Sequence, residues 1–180
     1  MKTKLHLLSW VISLASCAIA VSSITGCATS GGKPTYTRNL APDARIISSD
    51  KVTAEVVSAG PKVVMTLADK ERFSQKVEVA IRSRAPQGAR TGRNYKVIVG
   101  LANYERGSAF ARMMLAGLGQ MHIDATVTVY SMPGKTVVGA FNVNKTFSWG
   151  GMVGGMATIE NVEDDFAKAV ADAVCAPKPR

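Results

Sequence analysis

Few residues in this sequence have the types and spacing that catalysis or metal binding requires. His122 and Asp124 are separated by one residue in an alternating segment, so a strand there would place both side chains on one face. An aspartate can orient a histidine as a general base, but we find no nucleophile in a pattern that would complete such a site. One histidine and one carboxylate also fall short of the four ligands that zinc takes. We therefore expect a surface pair between strands, and a protein that is not an enzyme and binds no metal or cofactor.

The first thirty residues have the three parts of a signal peptide. Lys2 and Lys4 form the basic start, and the stretch from Leu5 to Val21 is largely apolar and has no acidic residue. Small residues follow it up to Cys27. An uncleaved membrane anchor is the alternative, but a spanning helix needs about 20 apolar residues and this stretch is shorter. The pattern favours a signal peptide over residues 1–26.

The tetrad Ile24-Thr25-Gly26-Cys27 resembles the lipobox read by bacterial lipoprotein signal peptidase. This resemblance implies cleavage before Cys27 and attachment of a diacylglycerol to its sulfur. Leu14-Ala15-Ser16-Cys17 also fits the pattern, but a cut there would leave a very short apolar segment. The two or three acyl chains of a lipoprotein would hold the protein stably at a membrane. Because Ala28 rather than Asp follows the cysteine, the sorting rule of the class implies the outer membrane, with the domain facing the periplasm.

Composition limits the partners. The formal charge of the 180-residue chain is +9, which favours anionic partners, and Lys2 and Lys4 leave with the signal peptide. An exported lipoprotein rarely meets nucleic acid, so we expect an anionic envelope polymer or lipid headgroup instead. Cys175 is the one cysteine that remains unmodified, so no disulfide can form within the chain. We expect it to pack as a small apolar residue at the end of the last helix, the alternative being a free or intermolecular thiol.

The mature chain divides into a tether and one domain. Residues 27–45 contain glycine, serine and proline but few apolar residues, which predicts a flexible tether. The length of the remaining chain predicts one domain over residues 46–180, which the lipobox resemblance implies is periplasmic. The predicted elements are a strand at Lys51–Val57, a helix from Thr66 to Pro86, strands around Tyr95–Leu101, Ile123–Val129 and Val137–Trp149, and a helix over Ile159–Val174. This order, β-α-β-β-β-α, predicts an α+β fold in which two helices pack on one face of an antiparallel sheet of about four strands.

One segment resembles a known family. Tyr104 to Val129 contains a strand that ends in Gly107-Ser108, then Arg112, then Gly117 and Gly119, then another strand. This pattern is similar to the central signature of a family of bacterial lipoproteins catalogued as domain of unknown function 4410. The resemblance extends over residues 52–174 and implies an envelope lipoprotein of similar fold, but no activity.

Two segments rich in glycine and methionine are candidate contact surfaces, Gly107–Gln120 and Trp149–Thr158. Both combine large apolar residues with a permissive backbone, which would suit contact with a partner subunit, a second copy or the membrane. The alternative is that both are connectors tucked under the helices, with Arg112 satisfying loop carbonyls. The main hypothesis is therefore a non-catalytic envelope component that binds or assembles with other molecules.

The connector after the first helix is rich in arginine. It carries Arg82, Arg84, Arg90 and Arg93. Arginine binds phosphate and carboxylate groups bidentately, so this connector could recognise an anionic envelope polymer or lipid headgroup. A solvated basic loop without a ligand is the alternative.

Overall fold

The computed structural model describes residues 29–30, 34–61, 63–114, 118–148 and 156–175. The predicted signal peptide, the predicted lipidation site Cys27, Gly117 and most of the second glycine–methionine segment lie outside these ranges. Within them, no helix is both long and apolar enough to cross a bilayer.

The described strands form one mixed sheet. They are β1 (Thr29–Ser30), β2 (Thr35–Arg38), β3 (Lys51–Ser58), β4 (Asn94–Glu105), β5 (Met121–Met132) and β6 (Thr136–Phe147). Their order across the sheet is β1-β6-β5-β4-β3, and β2 also pairs with β6. The four long strands were predicted. The sheet is mostly antiparallel, as predicted, but β3 and β4 are parallel. A helix crosses over between these two strands, and such a connection permits parallel pairing.

Three α-helices have both ends within the described residues: α1 (Leu67–Arg84), α2 (Ala109–Met114) and α3 (Ile159–Val174). The predicted cap at Thr66 is confirmed, because its hydroxyl accepts the Asp69 N–H at 3.1 Å while the Asp69 carboxylate accepts the Thr66 N–H at 3.1 Å. Thr158 and Asn161 form a similar box at the start of α3. The short helix α2 was not predicted and lies in the first glycine–methionine segment.

The core lies on one face of the sheet, under α1 and α3. Alternate residues of the long strands are buried there, and Phe73 of α1 meets Phe166 of α3 edge to face at 5.4 Å between ring centroids. Cys175 is packed at the end of α3 as expected, and burial raises the pKa of its thiol to about 12. The thiol is therefore protonated and unreactive at neutral pH.

The predicted tether is shorter than expected, because β1 and β2 both lie within it and pair with β6. Residues 35–38 pair with β6 instead of remaining flexible. Leu40 and Ile46 are buried, and Leu40 packs directly over Gly139, where a Cβ atom would overlap it. The Tyr36 hydroxyl also donates to the Ala173 carbonyl at 3.3 Å. Sequence reasoning missed this segment because its few apolar residues have no period.

Replacing Leu40 with alanine should therefore lower the free energy of unfolding by about 2–5 kcal/mol, the range for a buried leucine. Denaturant unfolding followed by circular dichroism measures the change. Val64→Ala is the matched control, because Val64 is 83% exposed and should change stability by less than about 0.5 kcal/mol. Equal effects of the two substitutions would show that the segment before Ala44 is a tether after all.

Helix α1 occupies one edge of the sheet. On β3, the Glu78 carboxylate accepts the Ala54 N–H at 2.8 Å, and the Ser74 hydroxyl accepts the Val56 N–H at 3.0 Å. Helix α1 thus satisfies backbone groups that an incoming strand would need. At the opposite edge the short strands β1 and β2 both pair with β6 and are the outermost strands of the sheet. Because an occupied edge disfavours strand pairing between chains, pairing at β3 is disfavoured.

Candidate functional site

Several connections between strands and helices lie at one end of the sheet. Strands β3 and β4 finish there, β5 begins there with Glu105 opposite His122, and β6 finishes there with Phe147 opposite Met121. We call this the upper end and the opposite one the lower end. Helices α1 and α3 both begin at the upper end, since each follows a strand that finishes there.

Large apolar side chains are exposed at the upper end. Of nine such side chains among the described residues, seven lie there, so the exposure is concentrated rather than scattered. These seven, here called the apolar end, are Val64, Leu67, Phe110, Met113, Met114, Leu118 and Met156. Phe110 is 70% exposed and Met156 is 80% exposed. The described side chains of the first glycine–methionine segment are therefore exposed rather than tucked under the helices, and apolar side chains exposed at one end suit contact with another surface.

The glycines and serine of the family pattern shape the connector between β4 and β5. Gly107 and Gly119 have positive φ angles of 61° and 68°, which favour glycine. The Ser108 N–H donates to the Gly119 carbonyl at 3.3 Å, which closes the base of the connector. The Ser108 hydroxyl accepts the Ala111 N–H at 3.2 Å at the start of α2. Arg112 lies in α2, between apolar residues of the surface in sequence. These predicted residues thus belong to the connector that presents the apolar side chains.

A buried carboxylate lies beneath the connector. The Glu163 side chain on α3 is fully buried, and the Tyr104 hydroxyl at the end of β4 donates to it at 2.8 Å. Two cations of α1 reach the same carboxylate, Arg72 at 3.1 Å and Lys76 at 3.3 Å. Burial and the neighbouring Glu163 carboxylate raise the pKa of Tyr104, so the hydroxyl stays protonated and keeps donating. Three elements are joined at this point.

A second carboxylate extends this network to the connector. Asp69 on α1 accepts from Arg72 at 2.8 Å and from Arg106, the first residue after β4, at 2.7 Å. The Thr66 hydroxyl and Arg72 hold the pKa of Asp69 well below its usual range, so the carboxylate remains charged. Sequence reasoning missed this network, because Tyr104 and Glu163 are 59 positions apart in the chain. It fixes the base of the connector against both long helices.

The arginine connector lies at the lower end, away from the apolar end. Arg90 holds the buried Asp50 carboxylate at 2.6 and 2.7 Å and donates to the Arg45 carbonyl at 2.7 Å. Arg84 pairs with Asp172 at 2.6 Å, and Arg93 donates to the Asp43 carbonyl at 3.1 Å. Each of these three arginines thus has a partner in its own chain. Arg90 is thus a structural cation, because it neutralises the buried Asp50.

Comparison with known proteins places this fold in a family. A family model described as a domain of unknown function, DUF4410, matches residues 46–151, which include the whole connector. The chain belongs to this family. A comparison with curated proteins finds no significant match.

Several solved structures are similar. A PelC dodecamer from Paraburkholderia phytofirmans has a TM-score of 0.54 and 14% identity over 82% of this chain and 100% of that one. The dodecamer of a leucine-to-methionine variant of the same PelC has a TM-score of 0.53 and 16% identity over 83% of this chain and 100% of that one. At such identities the likeness shows a shared fold. A Caulobacter crescentus protein provisionally assigned as a lipoprotein has a TM-score of 0.37 and 13% identity over 69% of this chain and 83% of that one, too low to support an argument.

The other predicted pair, His122 and Asp124, lies on the open face of the sheet. His122 Nδ1 is 2.7 Å from the Thr146 hydroxyl on β6. Asp124 lies opposite Asn144, which is also on β6. Each residue thus pairs across to β6, as expected for a surface pair between strands. Among the described residues, no cluster of three or more histidine, cysteine or carboxylate side chains could hold a metal.

Proposed function

We propose that this protein is a non-catalytic lipoprotein of the bacterial cell envelope that acts as a binding or assembly component. In this proposal Cys27 is acylated, the anchor lies in the outer membrane, and the domain faces the periplasm. The apolar end is the observation that carries the proposal. A stable domain that leaves seven large apolar side chains together at one end has a surface suited to contact rather than to chemistry.

The ionisable groups support a non-catalytic function. The most buried carboxylates, Asp50, Asp69 and Glu163, each accept hydrogen bonds from cations of their own chain. Catalysis needs an acid or base that can reach a substrate. Carboxylates held in this way orient neighbouring elements instead, and those at the upper end hold the connector that bears Phe110.

We further propose that the assembly is a homo-oligomer. The fold is shared with PelC, which forms dodecamers. Because α1 occupies the β3 edge of the sheet, copies of this chain would meet through faces and connectors rather than by extending the sheet beyond β3. An open sheet face carrying Thr126 and Asn142 is one surface of this kind.

The oligomeric state tests this proposal. Full-length protein extracted in a mild detergent should give a mass of several copies by light scattering, and the mass should persist at high salt if apolar contacts hold the copies together. Ser74→Ala and Glu78→Ala remove the side-chain acceptors of the Val56 and Ala54 N–H groups at the β3 edge. Both variants should leave the number of copies unchanged. A monomer at every concentration, with no partner captured by crosslinking in the membrane, would contradict the proposal.

A further inference from the structure

We infer that the apolar end is a membrane-docking surface, and that its occupant is the lipid bilayer that holds the N-terminal anchor. The inference rests on the proposed acylation of Cys27 and goes beyond it. Acylation alone requires that a tether reach the membrane, whereas the inference requires that the folded domain itself contact lipid through Phe110 and its neighbours.

The N-terminal part of the chain places the anchor near the upper end. Strand β1 is antiparallel to β6 and pairs Thr29 with Phe147, so the N-terminus of the described chain lies at the upper end. Cys27 precedes Thr29 by two residues, which span at most about 7 Å. Acyl chains on the Cys27 sulfur would therefore enter the bilayer close to the upper end and not at the lower end.

The exposed apolar side chains lie at the same end as the anchor. The end nearest to Cys27 is the end that carries seven of the nine exposed large apolar side chains among the described residues. Phe110, Met113 and Met114 project from α2 with exposed fractions of 70, 50 and 64%. A lipid surface suits these residues, because methionine adapts to irregular surroundings and apolar faces sink into the acyl boundary of a bilayer.

Ion pairs and hydrogen bonds hold the connector in place before any contact with lipid. Arg106 is bound to Asp69 at 2.7 Å, and the Tyr104 hydroxyl to Glu163 at 2.8 Å, so the strand that leads into the connector is fixed to both long helices. The Ser108–Gly119 hydrogen bond closes the connector just beyond this point. The apolar side chains are thus held out from the domain before any contact, which reduces the ordering cost of docking.

Depth-dependent fluorescence quenching tests the inference. The full-length lipoprotein, purified from membranes, is reconstituted into vesicles of phosphatidylethanolamine and phosphatidylglycerol in which some acyl chains carry a nitroxide. A thiol-reactive bimane is attached at Phe110→Cys in one protein and at Val79→Cys in another. Val79 is the matched control, because it is 64% exposed but lies on α1 about 18 Å from the start of that helix.

We expect the probe at position 110 to be quenched several-fold more strongly than the probe at position 79. Equal and weak quenching would overturn the inference. Shielding of the probe at position 110 from both the nitroxide lipids and aqueous iodide would also overturn it, because the occupant would then be a second copy or another protein.

The unsubstituted protein separates this result from a failure of the proposed anchor. Cys175 is 3% exposed and should not react with bimane, and an acylated Cys27 has no free thiol. Labelling of the unsubstituted protein at Cys27 would show that the anchor is absent, and the proposed function would then fail. Unlabelled, acylated protein with an unquenched probe at position 110 would overturn the docking surface alone.

Discussion

Replacing Glu163 with alanine should lower the free energy of unfolding by about 3 kcal/mol, toward the lower end of the range for a broken buried ion pair. The Glu163 carboxylate is fully buried and is bound by Arg72 at 3.1 Å, Lys76 at 3.3 Å and the Tyr104 hydroxyl at 2.8 Å. The substitution would leave that hydroxyl without its acceptor, and the two cations without their central partner. Both cations are partly exposed and can regain water, which limits the loss.

Two further variants make the expectation for Glu163 specific. Glu160→Ala removes a carboxylate that is 3.7 Å from Arg72 but 42% exposed, and such a surface pair contributes at most about 1 kcal/mol. Glu163→Gln keeps the side-chain volume and an acceptor for Tyr104, so its loss should fall between those of the two alanine variants. Denaturant unfolding of the three proteins gives the order. A Glu163→Ala variant as stable as Glu160→Ala would show that the network does not fix the connector.

The second large effect concerns the anchor. Cys27→Ser should abolish the acylated form of the protein, because the lipid is attached through sulfur and cleavage depends on that attachment. Cys17→Ser is the matched control, since Cys17 belongs to the competing tetrad, and this variant should be acylated as fully as the unsubstituted protein. Incorporation of labelled palmitate in cells measures both. Loss of palmitate in Cys17→Ser but not in Cys27→Ser would show that Cys17 is the acylated residue and that the signal peptide ends before it.

The long elements of the fold could be predicted because their periodicity is strong. The alternation around Val97 and Val127 indicated two central strands, and the stripe containing Phe166 indicated α3. The parallel pairing of β3 with β4 could not be predicted in this way, because alternation reports which face is buried and not which strand is the neighbour. Strand β2 was missed for a related reason, since Thr35–Arg38 has no buried residue and is fixed by its pairing with β6.

Part of the candidate site could likewise be predicted from local sequence, and part of it could not. The connector between β4 and β5 stood out in sequence, because Gly107, Ser108 and Gly119 lie next to large apolar residues, and the structure shows why those residue types are needed. The ion pairs beneath it did not stand out. Glu163 looked like one of several acidic residues in the first turns of a helix, and its burial against Tyr104 follows only from how α3 packs.

The arginine connector shows the limit of reasoning from residue type alone. Arg90 was considered with Arg84 and Arg93 as a polyanion contact, but it is the partner of the buried Asp50. A sequence records that both charges exist and not that they meet, since Asp50 and Arg90 are 40 positions apart. Pairing of this kind depends on tertiary structure.

We propose above all that the chain is held at an envelope membrane through an acylated Cys27. The most direct measurement is the intact mass of the N-terminal peptide of native protein recovered from separated inner and outer membranes. We predict a peptide that begins at Cys27, carries two or three acyl chains and comes from the outer membrane. A peptide that begins at Cys17, or one that begins at Cys27 without lipid, would contradict the account.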